Sequence, residues 1–236
     1  MRRSLLLFSA LLVGACDGMV ADSTIVDDLR ILNIVSEPAS PAPGEVPELD
    51  VLVADPGGTD FQLWSWWCVE TVCGEGALPT DVPSSAEGGF ATVSALACEP
   101  GVCDGPGERS DPDSWLSELG FGGFSFARRT IGISPAPEVR LNDNPGLLPV
   151  GLPDAVPAGQ VSELNFQIDD ALVDEPNAYG FASAGGFLEA EVGLNEEGVF
   201  QLELSAPEEA GEVTVWVVVD DGLGGSASWT GSLVVE

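Results

Sequence analysis

Four cysteines stand in two motifs of the same spacing, Cys68 and Cys73 in "CVETVC" and Cys98 and Cys103 in "CEPGVC". Thiols at such a spacing can close disulfides in an oxidising compartment or hold a metal ion. Zinc-binding motifs usually separate their cysteines by about two residues, and these motifs have a longer gap. We therefore predict two disulfides. The spacing leaves all three pairings open, within each motif or between the motifs.

A fifth cysteine, Cys16, follows an N-terminal segment of different character. Arg2 and Arg3 precede an apolar run from Leu5 to Val13, and the small residues Gly14 and Ala15 come next. This order is typical of a secretory signal peptide, and the apolar run is too short to cross a bilayer as a helix. We predict that residues 1–15 are removed by cleavage.

The ending "VGAC" resembles the lipobox of bacterial lipoproteins. The resemblance implies that Cys16 carries a diacylglycerol thioether and an N-acyl chain such as palmitate. Each buried methylene then contributes about 0.8 kcal/mol, so anchoring in a lipid bilayer is stable. We expect a lipid-anchored protein of the bacterial cell envelope, with the outer membrane favoured over the inner. An ordinary signal peptide or an uncleaved anchor is the alternative.

Charge and missing residue types exclude several functions. The chain has 39 acidic residues and 7 arginines, a net charge of −32, and loss of Arg2 and Arg3 makes it −34. Such a surface repels DNA and RNA, so we predict no nucleic-acid partner. The chain has no histidine and no lysine. This excludes Ser-His-Asp and Cys-His catalysis, HExxH zinc sites and Schiff-base chemistry.

The elements that must position these residues are short strands. Apolar and polar residues alternate over five to ten positions between clusters of Pro and Gly, which predicts strands and turns. The clearest runs cover residues 90–97, 124–133, 161–168, 187–192, 199–204 and 226–235. One short helix is predicted over 111–120, with Asp111 as its N-cap. No crossover helices are visible, so a parallel sheet is not expected.

Residues 183–236 resemble the second half of a bacterial immunoglobulin-like (Ig-like) or PKD-like repeat. The resemblance rests on the "GG" hairpin, Ala206–Pro207, Gly211 and the strand that ends in Val219–Gly225. Residues 49–67, "LDVLVADPGGTDFQLWSWW", are similar to the first half of such a repeat. A lipobox followed by two such domains is similar to uncharacterised envelope lipoproteins.

The fold we predict is all-β, with two tandem antiparallel Ig-like β-sandwich domains. Residues 16–28 form a tether, 29–134 the first domain with a cysteine-bearing insertion and the short helix, 135–147 a linker, and 148–236 the second domain. The Pro- and Asn-rich stretch "SPAPEVRLNDNPG" sets the boundary between the domains. The tryptophans, including Trp216 and Trp229, are interpreted as core residues rather than a sugar-stacking surface.

Acidic residues from three places are expected at one end of the second domain, because the B–C and F–G loops of an Ig-like sandwich share that end. They are Asp169, Asp170, Asp174, Glu175, Asp220 and Asp221. Convergent carboxylates repel each other, and a calcium ion with six to eight oxygen ligands relieves the repulsion. A weak calcium site is one interpretation. A solvated acidic surface with no cofactor is the other.

The function expected from these features is that of a non-enzymatic binding or structural module. Ig-like domains place recognition on the loops at the sandwich ends, and the partner would be a protein or a glycan. The alternative is an acid-pair hydrolase that acts on extracellular or envelope polysaccharide, because that chemistry needs only two carboxyl groups at a fixed separation. An aromatic-lined cleft with two facing carboxyl groups would favour the hydrolase.

Overall fold

A computed structural model describes residues 24–70, 72–83, 89–103, 116, 119, 122–169 and 175–236. The predicted signal peptide, the lipidation site Cys16, Asp170 and Asp174 lie outside these residues. So does the predicted helix over 111–120, apart from Leu116 and Leu119.

The first domain is a β-sandwich of two antiparallel sheets. One sheet pairs β1 (Arg30–Glu37) with β2 (Glu48–Ala54). The other has the order β4-β3-β5-β6, with β3 (Gln62–Val69), β4 (Val72–Gly74), β5 (Gly89–Cys98) and β6 (Phe124–Ile133). The two sheets bury a core that includes Ile31, Ile34, Trp67, Val93 and Ile131.

The outer face of the four-stranded sheet carries a second apolar cluster. Its fully buried members are Trp66, Leu96, Cys98 and Cys103, and Leu116 and Leu119 pack against them. This sheet is therefore apolar on both faces. The cysteine-bearing insertion helps to cover the outer face of the sheet.

The second domain is a larger sandwich. Its five-stranded sheet has the order β12-β10-β14-β15-β8, and its four-stranded sheet the order β11-β13-β9-β7. The strands are β7 (Leu147–Val150), β8 (Ala155–Val156), β9 (Val161–Ile168), β10 (Asn177–Ala182), β11 (Gly186–Phe187), β12 (Val192–Gly193), β13 (Val199–Ser205), β14 (Gly211–Asp220) and β15 (Ser226–Val235). Only the β15–β8 pair is parallel among the strands described.

The strand predicted over 187–192 is wrong as a single element. The chain pairs with β13 at Gly186–Phe187 and with β10 at Val192–Gly193, so it crosses from one sheet to the other between them. Phe187 is fully buried, and its ring occupies the space beside Gly180, where a Cβ atom would come within 2.7 Å of the ring. The alternating pattern marks buried positions but does not reveal the change of sheet.

The two domains pack side by side. Trp216 and Phe181 lie on the outer face of the five-stranded sheet, and Leu32 and Leu52 of the β1–β2 sheet pack in the same apolar cluster. Val26 belongs to this cluster as well. Trp216, which we predicted as a core residue, is buried between the domains.

Residues at both predicted chain boundaries are ordered against the sandwiches. The Val26 amide donates to the Ala182 carbonyl, and the Thr24 hydroxyl accepts from the Phe187 amide over 2.9 Å. In the 135–147 segment, Arg140 forms an ion pair with Glu45 at 2.6 Å. Thr24 and Val26 thus hold the N-terminal segment against the second domain, and Arg140 holds the linker against the first.

Candidate functional site

The most densely bonded polar group between the domains is the guanidinium of Arg129. Arg129 lies on β6 and its side chain is 15% exposed. Within the first domain it donates to Asn33 Oδ1 and the Ile34 carbonyl, at 3.2 and 3.3 Å. Across the junction it donates to Asp220 Oδ2 and to the carbonyls of Gly224 and Gly225, at 2.9 to 3.1 Å.

A β-bulge positions the second member of this network. The register between β1 and β2 shifts between Ile31 and Asn33. A bulge of this kind changes the face on which side chains lie, and both Ile31 and Ile34 point into the core as a result. Asn33 is then directed to the junction, where its amide nitrogen donates to Ser226 Oγ at 2.7 Å.

Asp221 is a fully buried carboxylate in the same junction. Its Oδ1 accepts from the amides of Leu223 and Gly225 at 2.8 and 2.9 Å, and its Oδ2 accepts from the Asn142 side chain. A Cβ atom on Gly225 would come within 2.3 Å of Asp221 Oδ2, so only glycine fits there. The Asp220–Gly225 turn is therefore shaped to meet the first domain.

The Arg129 guanidinium stays charged although it is largely buried. Burial lowers the pKa of Arg129 overall, and the negative charges of Asp220 and Asp221 offset part of this effect. The guanidinium remains protonated at physiological pH because arginine is a very weak acid. Its N–H groups donate to acceptors of both domains.

The residues predicted for calcium are only partly brought together. Asp220 accepts from Arg129 of the first domain, Asp221 accepts from its own turn and from Asn142 of the linker, and Asp169 accepts from the Gly146 amide at 2.6 Å. Glu175 is exposed. The described residues contain no group of three or more His, Cys, Asp or Glu side chains arranged to hold a metal. Asp170 and Asp174 lie outside them, so the calcium site stays a prediction.

The four cysteines pair within their motifs. Disulfides join Cys68 to Cys73 and Cys98 to Cys103. Cys68 and Cys73 lie opposite each other on β3 and β4, and Cys98 ends β5. Of the pairings that the spacing left open, the local one is present.

An open groove lies beside β3 in the first domain. Its volume is about 300 Å³. It is lined by Pro47, Leu49, Leu63, Trp64, Ser65, Trp66, Trp67, Glu75 and Gly76. The lining therefore includes three tryptophans and one carboxylate.

A second hollow, of about 150 Å³, lies on the second domain and is acidic. Its lining includes Glu163, Glu189 and Glu203 together with Val192 and Gln201. Glu163 and Glu203 are direct partners in the β9–β13 pair. Of these two hollows, the groove beside β3 therefore has the aromatic residues and the hollow on the second domain has the paired carboxylates.

Sequence reasoning missed the junction. In the sequence, Arg128 and Arg129 are two of the seven arginines of an acidic chain, and nothing local distinguishes them. In the structure Arg128 lies over the Phe126 ring on the exposed face, at 5.0 Å, whereas Arg129 points inward. Strand alternation separates the two, and their partners lie far away in the sequence.

No protein-family model matches the sequence, and no curated protein matches it. Among solved structures, the chain is similar to fibronectin(III)-like modules of CbhA from Clostridium thermocellum, with 13% identity, a TM-score of 0.32, and 92% of this chain and 93% of that chain covered. It is also similar to the Yersinia pseudotuberculosis adhesin InvE, with 12% identity, a TM-score of 0.29, and 93% and 61% covered. A chimeric titin Z1Z2 tandem gives 14% identity, a TM-score of 0.29, and 89% and 97% covered.

In the described part of the chain, no helix has the length and apolar character needed to span a membrane.

Proposed function

We propose that this chain is a non-enzymatic binding or structural module of the bacterial cell envelope, held to the membrane by acyl chains on Cys16. The observation that carries the proposal is the junction between the two sandwiches. Arg129 and Asn33 bond across the junction to Asp220 and Ser226, and Asp221 binds Asn142 of the linker, beside an apolar cluster around Trp216.

A junction of this kind makes the tandem a rigid unit. Domains in one chain usually move relative to each other unless their interface is extensive and apolar. Here Trp216 is buried between the domains, and Arg30 lies 5.1 Å above the Phe181 ring. A rigid tandem presents its surfaces in a fixed arrangement, which suits a recognition or structural role.

The surfaces available for recognition follow from the junction. The turn after β14 is occupied by the first domain, so this turn is not a free loop. Recognition of a protein or glycan partner then falls to the other loops and to the groove beside β3.

The proposed anchor lies close to the second domain in the chain. Thr24 is bonded to Phe187, and eight peptide links separate it from Cys16. At about 3.3–3.6 Å per residue, this segment reaches at most about 28 Å. Lipidation at Cys16 would therefore hold the second domain near the surface of the bilayer, with the outer membrane as the proposed location.

The alternative function, an acid-pair hydrolase acting on polysaccharide, has one candidate site. Glu163 and Glu203 face the acidic hollow on the second domain, and Glu163 Oε1 accepts from the Asn165 side chain at 2.8 Å. The hollow lacks aromatic residues to stack a sugar ring. Release of reducing ends from envelope polysaccharide, abolished in Glu163→Gln, would establish this alternative.

The anchoring proposal is tested by labelling. Cells that express the full chain are fed radioactive palmitate, and the protein is immunoprecipitated. We expect label on the wild type and on a Cys68→Ser control, and none on Cys16→Ser. Label on Cys16→Ser, or none on the wild type, would contradict lipidation at Cys16.

A further inference from the structure

We propose that the open edge of β3 is a docking strand for an extended, basic segment of a partner protein, which adds to the sheet beside Leu63 and Ser65. The inference deepens the proposed function as a binding module and rests on it. It concerns one surface of the first domain and does not depend on the lipid anchor.

The first step is the direction of the backbone groups on β3. The Cα atoms of Cys68 and Cys73 are 4.0 Å apart, which marks a cross-strand pair without hydrogen bonds between its own backbones. The neighbouring residues Trp67 and Val69 therefore bond to β4. By alternation, Ser65 and Leu63 direct their N–H and C=O groups to the same side of β3.

Among the described residues, β3 has no neighbour on that side beyond Trp67. Strand β4 ends at Gly74, which pairs with Trp67. The chain then turns away, and the Leu78 amide bonds to the Glu45 carbonyl. In the described part of the chain, no backbone group bonds to the outward groups of Leu63 and Ser65. They form a template on which an extended chain can pair.

The second step is that the sandwich core is incomplete along this side. The inward side chains of β2, Leu49, Val51 and Val53, are only partly buried, and Leu63 is 41% exposed. The opposite side is closed, because β1 meets β6 there and the Ile31 amide bonds to Ser125 Oγ at 2.9 Å. An added strand with apolar side chains would cover Leu49 and Leu63.

The third step is the charge of the occupant. Glu75 is the carboxylate that lines the groove, and no arginine is among its described lining residues. A second copy of this chain carries the same charge of −32 and is repelled. A segment that alternates basic and apolar residues matches Glu75, the strongly acidic chain and the incompletely buried side chains of Leu49 and Leu63.

A glycan is the less suitable occupant of this groove. Trp66 and Trp67 are buried, and Trp67 Nε1 donates to the Gly76 carbonyl at 2.8 Å. Their ring faces are therefore not available for sugar stacking. The unpaired backbone edge is the feature that the groove offers.

The test uses an eight-residue peptide of alternating lysine and valine, added to the full chain in detergent. Affinity is measured by calorimetry, and hydrogen exchange reports on individual amides. We expect binding of this peptide, protection of Leu63 and Ser65, and at least about tenfold weaker binding of a glutamate–valine peptide. Methylating alternate peptide nitrogens should also weaken binding at least about tenfold, because hydrogen bonds to β3 are lost.

The protein side of the test compares Ser65→Pro with Ser65→Ala. Proline removes an N–H that faces the groove and leaves the bonds to β5 in place, which edge strands tolerate. We expect Ser65→Pro to lose binding and Ser65→Ala to retain it. If the Ser65→Pro variant is unstable, the affinity of wild-type protein for the methylated peptide tests the same hydrogen bonds independently.

Three results with peptides would overturn the docking strand. They are no binding of the lysine–valine peptide, equal binding of the glutamate–valine peptide, and binding that survives both backbone methylation and Ser65→Pro. Binding of a polysaccharide fragment that protects these amides in place of the peptide would do the same. None of these results affects palmitate labelling, so failure here is distinguishable from failure of the anchoring proposal.

Discussion

Arg129 Nη2 lies 3.1 Å from Asp220 Oδ2 and thereby joins two β-sandwiches whose contacting residues are 91 positions apart in sequence. The same nitrogen also bonds to the carbonyls of Gly224 and Gly225. One side chain of the first domain thus donates hydrogen bonds to three acceptors in a turn of the second. The relative position of the two domains depends strongly on this side chain.

Replacing Arg129 with methionine should destabilise the protein. The substitution keeps much of the side-chain volume but leaves Asp220 Oδ2 and the Gly224 carbonyl without their Arg129 donor, which should cost about 2–4 kcal/mol in the free energy of unfolding. Urea unfolding measures the change. Arg128→Met removes the same charge from an exposed position and should cost less than about 1 kcal/mol. Equal losses in both variants would contradict the role of Arg129.

The Arg140–Glu45 ion pair should make stability depend on pH in acid. Hydrogen bonding to Arg140 holds the pKa of Glu45 below its ordinary value of 4.5. A lowered pKa in the folded state adds stability above the ordinary pKa, and that stability is lost as the pH falls through the lowered value. Glu45→Gln should therefore cost up to about 1 kcal/mol at pH 7 and almost nothing in strong acid.

This comparison isolates one carboxyl among many, because all other carboxyl groups are common to both proteins. Glu48→Gln, at an exposed position nearby, is the matched control. A stability difference between wild type and Glu45→Gln that does not change between pH 7 and strong acid would contradict the ion pair as its source.

The local disulfides should be present in protein isolated from cells. Alkylation without reduction, followed by peptide mass mapping, should show Cys68 joined to Cys73 and Cys98 joined to Cys103. Replacing Cys68 and Cys73 together with serine should cost about 2 kcal/mol, because a closed loop of this size restricts the unfolded chain. Peptides that join the two motifs would show a different pairing.

Calcium and magnesium should raise the melting temperature of the full chain equally at the same ionic strength. The carboxylates of Asp220 and Asp221 already accept hydrogen bonds from Arg129, Asn142 and backbone amides. Screening of a strongly acidic surface is then the main effect of either ion. A larger shift with millimolar calcium would instead establish the calcium site predicted from the sequence.

Local patterns predicted much of the fold. The strands over 124–133, 161–168 and 226–235 have the predicted limits, because each run is bounded on at least one side by Gly or Asp. Strand β4 was missed. It is three residues long, and its pairing is set by the hairpin and the disulfide rather than by alternation.

The junction could not be predicted in the same way. Alternation assigns Arg129 to the core face of β6, where a charged residue is unfavourable unless distant partners meet it. Those partners depend on the bulge at Asn33 and on the turn that ends at Gly225. Each belongs to a different domain, so only the packed structure brings them together.

The distance between the two domains tests the central claim, a rigid tandem, most directly. Spin labels are attached at Thr80→Cys in the first domain and Glu208→Cys in the second, both exposed positions, and pulsed electron paramagnetic resonance gives the distribution of distances between them. The junction predicts one narrow distribution in the otherwise wild-type chain and a broad one when Arg129→Met is added. A broad distribution with Arg129 in place would contradict the rigid unit on which the proposed function rests.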